Sequence, residues 1–288
     1  KGYEELNKHL KENKYSKKTG FDFKPSFHLA STFETKATKY TLNDGQPDLR
    51  LHPTLQFSKW YSASMKRKTL LSKWNHTSNS AHSIYENQLC NYLNATRGFH
   101  SKPENLISTR STEMSLYIVS QLLLQPSDLV LVGDLSNYAV NMIFQQVGAN
   151  IHTIPVDENG LDIDYIRKHY IKKSIRCVYV CAHRHYPTTK TLSAERRLEL
   201  LKLAEDYGFA IIEDDFDYDF QYEGAAKLPM ASSDGNGNVI YLGKLGQSLF
   251  PSFQTGFVVA PINLIVEAKN YLQMLDKQGD VIQEQMLS

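Results

Sequence analysis

A run of carboxylates follows an apolar, strand-like segment in the second half of the chain. The residues AIIEDD end in Glu213, Asp214 and Asp215, and Asp217 and Asp219 come close behind. Buried carboxylates without a partner are costly, so these groups must either meet a cation or face solvent. The pattern predicts either an acidic surface turn or a site where a positively charged group is held.

A glycine-containing segment follows the next apolar run and reads GKLGQSLFPSFQTGF (243–257). Its small residues permit a backbone nest that could hold an anion, and Lys244 would add positive charge. Glycine-rich loops in α/β proteins are often only tight turns. Both interpretations stay open on the sequence of this segment alone.

A third polar segment, HRHYPTTKTLS (183–193), is a turn fixed by Pro187 that leads into a helix. It contains His183, Arg184 and His185, the one place where histidines recur at short spacing. Neither histidine nor cysteine recurs elsewhere at the spacing of metal ligands. Ordinary loop polarity therefore accounts for this trio better than a metal site does.

These segments lie in a region where short β-branched runs alternate with helical stretches. The predicted strands are 129–134, 151–156, 177–182, 210–215, 239–243 and 255–261. The predicted helices are 112–125, 137–147, 162–170, 193–207 and 262–276. Apolar strands separated by helices indicate an α/β fold with a mostly parallel sheet covered on both faces.

In such a sheet, ligands bind beyond the carboxyl ends of the strands. Each of the three polar segments follows a predicted strand, so we expect them to lie together and form one site. Ser193 and Gly208 are suitable caps for the helix between them. The polar tract 72–82 is expected to be a loop.

Composition excludes several classes of protein. The 288 residues carry 32 Lys and Arg against 31 Asp and Glu, a formal charge of +1, which argues against a nucleic-acid surface in this stretch. An apolar content of 41 % is that of a folded chain. There is no run of about 18 apolar residues to span a membrane and no signal-peptide pattern.

The three cysteines are too few for a disulfide framework. Cys177 and Cys181 would lie about 13 Å apart on one face of a strand, beyond disulfide reach, and Cys90 has no obvious partner. We therefore expect a reducing, cytoplasmic location and no association with a membrane.

Taken together, the segments resemble one known family. The stretch from Leu129 to Pro261 resembles the aminotransferase-like domain of the MocR branch of the GntR regulators, which has the architecture of fold type I pyridoxal-phosphate (PLP) enzymes of aminotransferase class I/II. The resemblance rests on these blocks: DGQPDLRLHP (44–53), LLLQPSDLVLVGD (122–134), GANIHTIPVDENGLDID (148–164), HYPTTKTLSAERRLELLKLAEDYG (185–208), IIEDDFDYDFQY (211–222) and VIYLGKLGQSLFPSFQTGFVVAP (239–261). It implies the large domain of that fold, with a mostly parallel seven-stranded sheet between helices.

The resemblance also implies which positions would hold PLP. Asp214 matches the family aspartate that pairs with the pyridinium nitrogen and keeps the ring an electron sink. Phe216 stands where the family has a tyrosine that bonds the ring's phenolic oxygen, and it offers no donor. Gln247 stands at the Schiff-base lysine, and a carboxamide cannot form an internal aldimine.

Other positions of the implied cofactor site have changed as well. The hydroxyl positions of the phosphate loop are Lys244 and Gly246, and the phosphate-binding arginine is Gln254. The family's Gly-x-Gln corresponds to Ser111, Thr112 and Glu113, and Glu113 would bring negative charge towards a phosphate. The ring-stacking aromatic falls at Asn137 with Tyr138 beside it, and Tyr186 completes the cofactor-binding positions.

Two functions follow from the resemblance. In the first, the chain is the effector-sensing and dimerisation domain of a MocR/GntR-type transcription regulator with a degenerate active site, in which PLP is weakly held, non-covalent or absent. In the second, it is an active PLP-dependent aminotransferase acting on amino acids, with Lys244 as the lysine if the alignment of this loop is shifted. Ser248–Pro251 anchors the alignment that places Gln247 there.

The expected organisation has three parts. Residues 1–20 form a linker or arm, 21–103 an N-terminal segment of the aminotransferase-like domain, and 104–288 the large α/β domain. The winged helix and most of the small domain are expected to be absent from these residues. We expect a homodimer that binds a small anionic or amino-acid-like ligand near Lys244, Ser111 and Thr112, and DNA only through a winged-helix domain.

Overall fold

The computed structural model describes residues 16–24, 48–66, 79–220, 227–245, 255–276 and 279–288. The chain divides into two units, Lys1–Lys39 and Tyr40–Ser288. Of the first unit only residues 16–24 are described, and they are exposed and form neither helix nor strand. The arm expected at residues 1–20 therefore lies mostly outside the described residues.

Nine strands are found in the described part of the second unit. They are β1 (Leu106–Thr109), β2 (Leu129–Gly133), β3 (Asn150–Ile154), β4 (Val156–Asp157), β5 (Gly160–Leu161), β6 (Ile175–Val180), β7 (Ala210–Asp215), β8 (Val239–Leu245) and β9 (Thr255–Val259). Seven of them form one sheet in the order β1-β9-β8-β7-β6-β2-β3, and β4 pairs with β5. Only β9 is antiparallel to its neighbours in the large sheet. The predicted mostly parallel, seven-stranded α/β sheet is confirmed.

Eight α-helices accompany these strands within the described ranges. They are α1 (Thr54–Lys66), α2 (Asn79–Arg97), α3 (Thr112–Leu123), α4 (Tyr138–Val147), α5 (Ile163–His169), α6 (Ala194–Tyr207), α7 (Ile262–Leu275) and α8 (Val281–Leu287). The predicted caps of α6 are confirmed: the Ser193 hydroxyl accepts a hydrogen bond from the Arg196 amide, and Gly208 ends the helix at a φ of 69°.

The strands are buried on both faces because their alternate side chains enter two separate cores. Val130 and Val132 of β2 pack in one core with Cys177 and Tyr179 of β6. Their strand neighbours, including Leu131, pack on the opposite side with residues of α5 and α6. Two apolar faces per strand explain why these segments are nearly continuous apolar runs.

The structure corrects two expectations at the start of this unit. Strand β1 was not predicted, because its four residues LIST carry little pattern and its partner β9 lies about 150 residues away in the sequence. The tract 72–82 was expected to be a loop, yet α2 begins at Asn79. Tyr85, Leu89 and Leu93 recur one helical turn apart and are all buried, so packing of this stripe favours helix over the local polar composition.

Candidate functional site

A cavity of about 1000 Å³ lies at the carboxyl edge of the sheet, where β2, β6, β7 and β8 end. The carboxyl ends of adjacent parallel strands meet at one edge, which is where α/β proteins bind ligands. Seven residues predicted for the cofactor site line it: Glu113, Asn137, Tyr138, Tyr186, Asp214, Phe216 and Lys244. The strand-end residues expected to act together are therefore brought together.

Asp214 and Tyr179 form the buried floor of this cavity. The Tyr179 hydroxyl donates a 2.6 Å hydrogen bond to Oδ2 of Asp214, whose side chain is 6 % exposed. Oδ1 of Asp214 is buried and has no hydrogen-bond partner among the described residues. Burial raises the pKa of Asp214 to about 6, although the Tyr179 hydroxyl and the charge of Lys244 act to lower it. At neutral pH this carboxyl is therefore mostly ionised and one of its oxygens lacks a donor.

Asp217, which follows Asp214 closely in the chain, is also a buried carboxylate with one oxygen bonded to a neighbouring side chain. Its Oδ2 accepts a hydrogen bond from the Arg184 guanidinium, which also donates to the carbonyl oxygen of Phe220 at 3.2 Å. The residue is only 7 % exposed, and its Oδ1 is buried with no hydrogen-bond partner in the described part of the chain. Burial raises the pKa of Asp217, while Arg184 and then Lys244 oppose the shift. Two unpartnered carboxylate oxygens thus belong to residues of the same cavity wall.

Lys244 and Phe216 face each other across this part of the cavity. Lys244 lies near the end of β8, and its Nζ is 5.9 Å from the centroid of the Phe216 ring. The Tyr186 ring meets Phe216 edge to face, with 6.3 Å between the ring centroids. Lys244 makes neither an ion pair nor a hydrogen bond with any residue in the described ranges. Its ammonium is held by an aromatic face and by the field of the two aspartates.

The start of α3 presents Glu113 to the cavity. Ser111 caps the helix, since its hydroxyl accepts a hydrogen bond from the Met114 amide at 3.2 Å. Glu113, in the first turn, is exposed and lines the cavity, whereas neither Ser111 nor Thr112 lines it. The backbone of Ser111 packs against Gly256, the residue of β9 that pairs with Lys244.

The start of α4 is built around Asn137. Its Oδ1 accepts a hydrogen bond from the Ala139 amide at 3.0 Å, so the side chain serves as the helix cap. Tyr138 follows it on the cavity wall and is 43 % exposed. The position expected to stack on a ring thus carries a capping amide with a tyrosine beside it.

Several cavity residues were not identified from the sequence. Tyr179 lies inside an apolar strand, and only the pairing of β6 with β7 places it beside Asp214. Arg184 and His185 belong to a segment explained by ordinary loop polarity, yet both line the cavity. A tyrosine in an otherwise apolar buried strand, and a polar trio directly after a strand, are the sequence features that point to them.

Other predicted residues cannot be placed in this way. Gln247, Gln254 and the anchoring block Ser248–Pro251 lie outside the described residues.

Among the residues that are described, no group of three or more His, Cys, Asp and Glu side chains could hold a metal ion. No helix of the described part is long and apolar enough to cross a membrane.

The described residues fit PLP only in part. The unpartnered oxygen of Asp214 suits a protonated ring nitrogen. Phe216 gives no donor for the phenolic oxygen, and the carboxylate of Glu113 on the cavity wall would repel a phosphate. Among the described residues, Asp214 therefore suits this cofactor, whereas Phe216 and Glu113 do not.

Comparison with known proteins supports the resemblance found in the sequence. The chain is 26 % identical over 229 residues to the probable rhizopine catabolism regulatory protein MocR of Rhizobium meliloti, covering 78 % of this chain and 45 % of the relative. It is 28 % identical over 173 residues to the HTH-type transcriptional regulator TauR of Rhodobacter capsulatus, covering 60 % and 35 %. The chain thus spans less than half the length of these regulators. Aminotransferases also occur among its curated relatives.

Solved structures confirm the fold. An archaeal alanine:glyoxylate aminotransferase superposes with a TM-score of 0.76 at 24 % identity, covering 84 % of this chain and 60 % of that one. Other matching structures are aminotransferases too. No protein-family model matches the chain. The chain therefore has the fold of type I PLP-dependent aminotransferases, and its homologues include regulators of the MocR type.

Proposed function

We propose that the chain is the effector-sensing and dimerisation aminotransferase-like domain of a MocR/GntR-type transcription regulator in which PLP chemistry has been lost. The observation that carries the proposal is the glutamine in the sequence at position 247, where the resemblance places the family's Schiff-base lysine. A carboxamide nitrogen is neither basic nor nucleophilic, so it can neither hold PLP covalently nor transfer the proton that transamination requires.

Further support comes from the cavity wall. Phe216 lacks the hydroxyl of the family tyrosine, and Glu113 opposes a phosphate. Each charged hydrogen bond that is lost costs about 1.5 to 3 kcal/mol, so several losses together weaken PLP binding by orders of magnitude. The large cavity and the ionised Asp214 are retained. A cavity of about 1000 Å³ with a buried aspartate in its wall suits binding of an effector.

The second candidate is a working aminotransferase, and the position of Lys244 favours it. Lys244 is the one lysine among the described residues that line the cavity, and its charge acts on Asp214. It lies within β8, paired with Gly256 of β9. If Lys244 formed the Schiff base, the chain would bind PLP covalently and exchange amino groups.

An absorbance titration with PLP separates the two candidates. An internal aldimine absorbs in the visible and is removed by an amino acid, with release of the corresponding keto acid. The proposal predicts neither the visible band nor keto-acid formation. A stable visible band that is lost in Lys244→Gln and kept in Lys202→Gln would establish the enzyme instead. Lys202 is an exposed lysine on α6 and serves as the matched control.

The proposed domain forms a homodimer in the cytoplasm, and contact with DNA is made through a winged-helix domain. The dimer is supported by α1, which exposes three large apolar side chains, Leu55, Trp60 and Met65. Light scattering tests it: Trp60→Glu should shift the chain towards monomer, whereas Lys59→Glu on the same helix should not. A monomer at micromolar concentration before any substitution would contradict this part of the proposal.

A further inference from the structure

A basic segment lies at the edge of the sheet opposite the cavity. It runs from Arg167, near the end of α5, to Arg176 in β6. Because Arg176 is the second residue of its strand, the segment reaches the amino-terminal edge of the parallel strands, whereas the cavity lies at their carboxyl edge. The basic segment is therefore separate from the candidate site.

The basic segment carries five lysines and arginines and no carboxylate. Its basic side chains are all exposed: Arg167, Lys168, His169, Lys172, Lys173 and Arg176. Over the whole chain 32 Lys and Arg nearly balance 31 Asp and Glu, so the formal charge of +1 conceals this local excess. A cluster of lysine and arginine on one surface attracts polyanions.

Buried apolar side chains hold the backbone of the basic segment in place. Ile166, Tyr170 and Ile175 are all buried and pack in one core beneath it. The Lys173 amide donates a hydrogen bond to the carbonyl oxygen of Tyr170 at 2.7 Å, and the Ile175 amide donates to that of Lys173 at 2.8 Å. The Lys173 ammonium lies 4.4 Å from the centroid of the Tyr170 ring. The charges are thus carried by a turn that is already ordered, which lowers the entropy cost of binding a partner.

Carboxylates of the chain neutralise only the two ends of the basic segment. Arg167 forms ion pairs with Asp164 and, at 3.8 Å, with Glu199. Arg176 lies 3.9 Å from a carboxylate oxygen of Asp128. The three lysines between these arginines form no ion pair with any residue of the described ranges. Their positive charge is therefore available to a partner.

The end of α5 accounts for only part of this charge. Arg167, Lys168 and His169 lie in the last turn, where the helix dipole favours cations. That attraction falls off beyond the last turn, so it does not explain Lys172 and Lys173, which follow the helix. An exposed excess of positive charge that continues past the helix indicates a surface for an anionic partner.

We propose that the basic segment contacts the phosphate backbone of duplex DNA without reading its sequence. The inference rests on the proposed function, in which a winged-helix domain holds the regulator on DNA, and it adds a second contact made by the aminotransferase-like domain. Lysine and arginine are common donors to DNA phosphates. The basic segment exposes no large apolar side chain, and lysine is depleted from the cores of protein interfaces. DNA therefore suits this surface better than a protein partner does.

The test is fluorescence anisotropy of the 288-residue chain with a labelled duplex of about 30 base pairs, between about 50 and 200 mM NaCl. The logarithm of the association constant should fall linearly with the logarithm of the salt concentration, because each phosphate contact releases counterions. Two duplexes of unrelated sequence should bind equally, since backbone contacts carry no sequence information.

A double variant tests the lysines themselves. Lys168→Gln combined with Lys172→Gln should weaken binding about tenfold at about 50 mM NaCl and reduce the salt slope by about 2, one for each lost contact. Lys102→Gln combined with Lys227→Gln removes the same charge from exposed lysines elsewhere and should leave both quantities unchanged. Thermal unfolding checks that both variants fold, and if the first does not, the salt slope of the unchanged chain and the competition below decide.

Three results would overturn the inference. The first is no binding by the unchanged chain at about 50 mM NaCl, and the second is an equal effect of the two double variants. The third is displacement of DNA by poly-L-glutamate at equal charge concentration, which would indicate an acidic protein as the partner. None of these results affects the proposed loss of PLP chemistry, which the PLP titration tests separately.

Discussion

The Tyr179 hydroxyl and the Asp214 carboxylate are joined by a 2.6 Å hydrogen bond between neighbouring strands β6 and β7. The bond is buried at the cavity floor, and it is the one hydrogen bond that Asp214's side chain makes within the described residues. The polar centre of the cavity is thus fixed by the pairing of two strands.

Tyr179→Phe should destabilise the chain by about 1 to 3 kcal/mol, because a buried carboxylate loses its donor. It should also raise the pKa of Asp214 further, since the hydroxyl acts to lower it. Urea unfolding at pH 7 measures the change in free energy. Tyr207→Phe, on an exposed tyrosine of α6, is the control and should have no effect; equal stability of the two variants would argue against the role of this bond.

Asp214 should make the chain less stable as pH rises from 4 to 6. The pKa of Asp214 is about 6 in the folded chain, whereas an ordinary aspartate has a pKa of 3.8. The folded state therefore binds the proton more tightly than the unfolded state across this pH range. The resulting loss of stability is about 3 kcal/mol and is complete by about pH 7. The difference in unfolding free energy between the unchanged chain and Asp214→Asn isolates this contribution from the other buried carboxylates.

The direction of that difference is the critical result. On acidification from pH 7 to pH 4, the unchanged chain should gain stability relative to Asp214→Asn. A difference that stays constant with pH, or one of opposite sign, would show that Asp214 is not an aspartate with a raised pKa.

Gly133→Ala should destabilise the chain by about 1 to 3 kcal/mol through overpacking. A Cβ at position 133 would collide with the His185 ring and lie 3.1 Å from Cγ2 of Val156. The His185 ring also contacts the Thr188 hydroxyl at 2.8 Å through Nδ1, so moving the ring away from the new Cβ disturbs this hydrogen bond. Gly235→Ala is the matched control, because nothing lies within 4 Å of its new Cβ, and thermal unfolding compares the two.

Gln247→Lys alone should not create an aminotransferase. Phe216 would still offer no donor to the ring, and Glu113 would still oppose the phosphate. Keto-acid formation from amino acids with added PLP measures the outcome. Turnover restored by this one substitution would mean that the remaining cavity residues had kept their catalytic function.

The fold was predictable because its signals are local. Apolar runs and capping residues such as Ser193 and Gly208 set each strand and helix independently of the others. Strand β1 was missed, since its pairing with β9 depends on residues far away in the sequence. Asp214 could be located from a sequence motif. The position of Tyr179 beside it depends on the register of two strands, which the sequence does not show. The hydroxyl of Ser111 caps its own helix.

Borohydride reduction of the chain in the presence of PLP, followed by intact mass and peptide mapping, tests the loss of covalent PLP chemistry most directly. The reagent reduces any imine between PLP and a lysine to a stable adduct. We predict no stoichiometric adduct in the unchanged chain, and the same result in Lys244→Gln. A single adduct at Lys244, formed at one equivalent of PLP and absent from Lys244→Gln, would contradict the account.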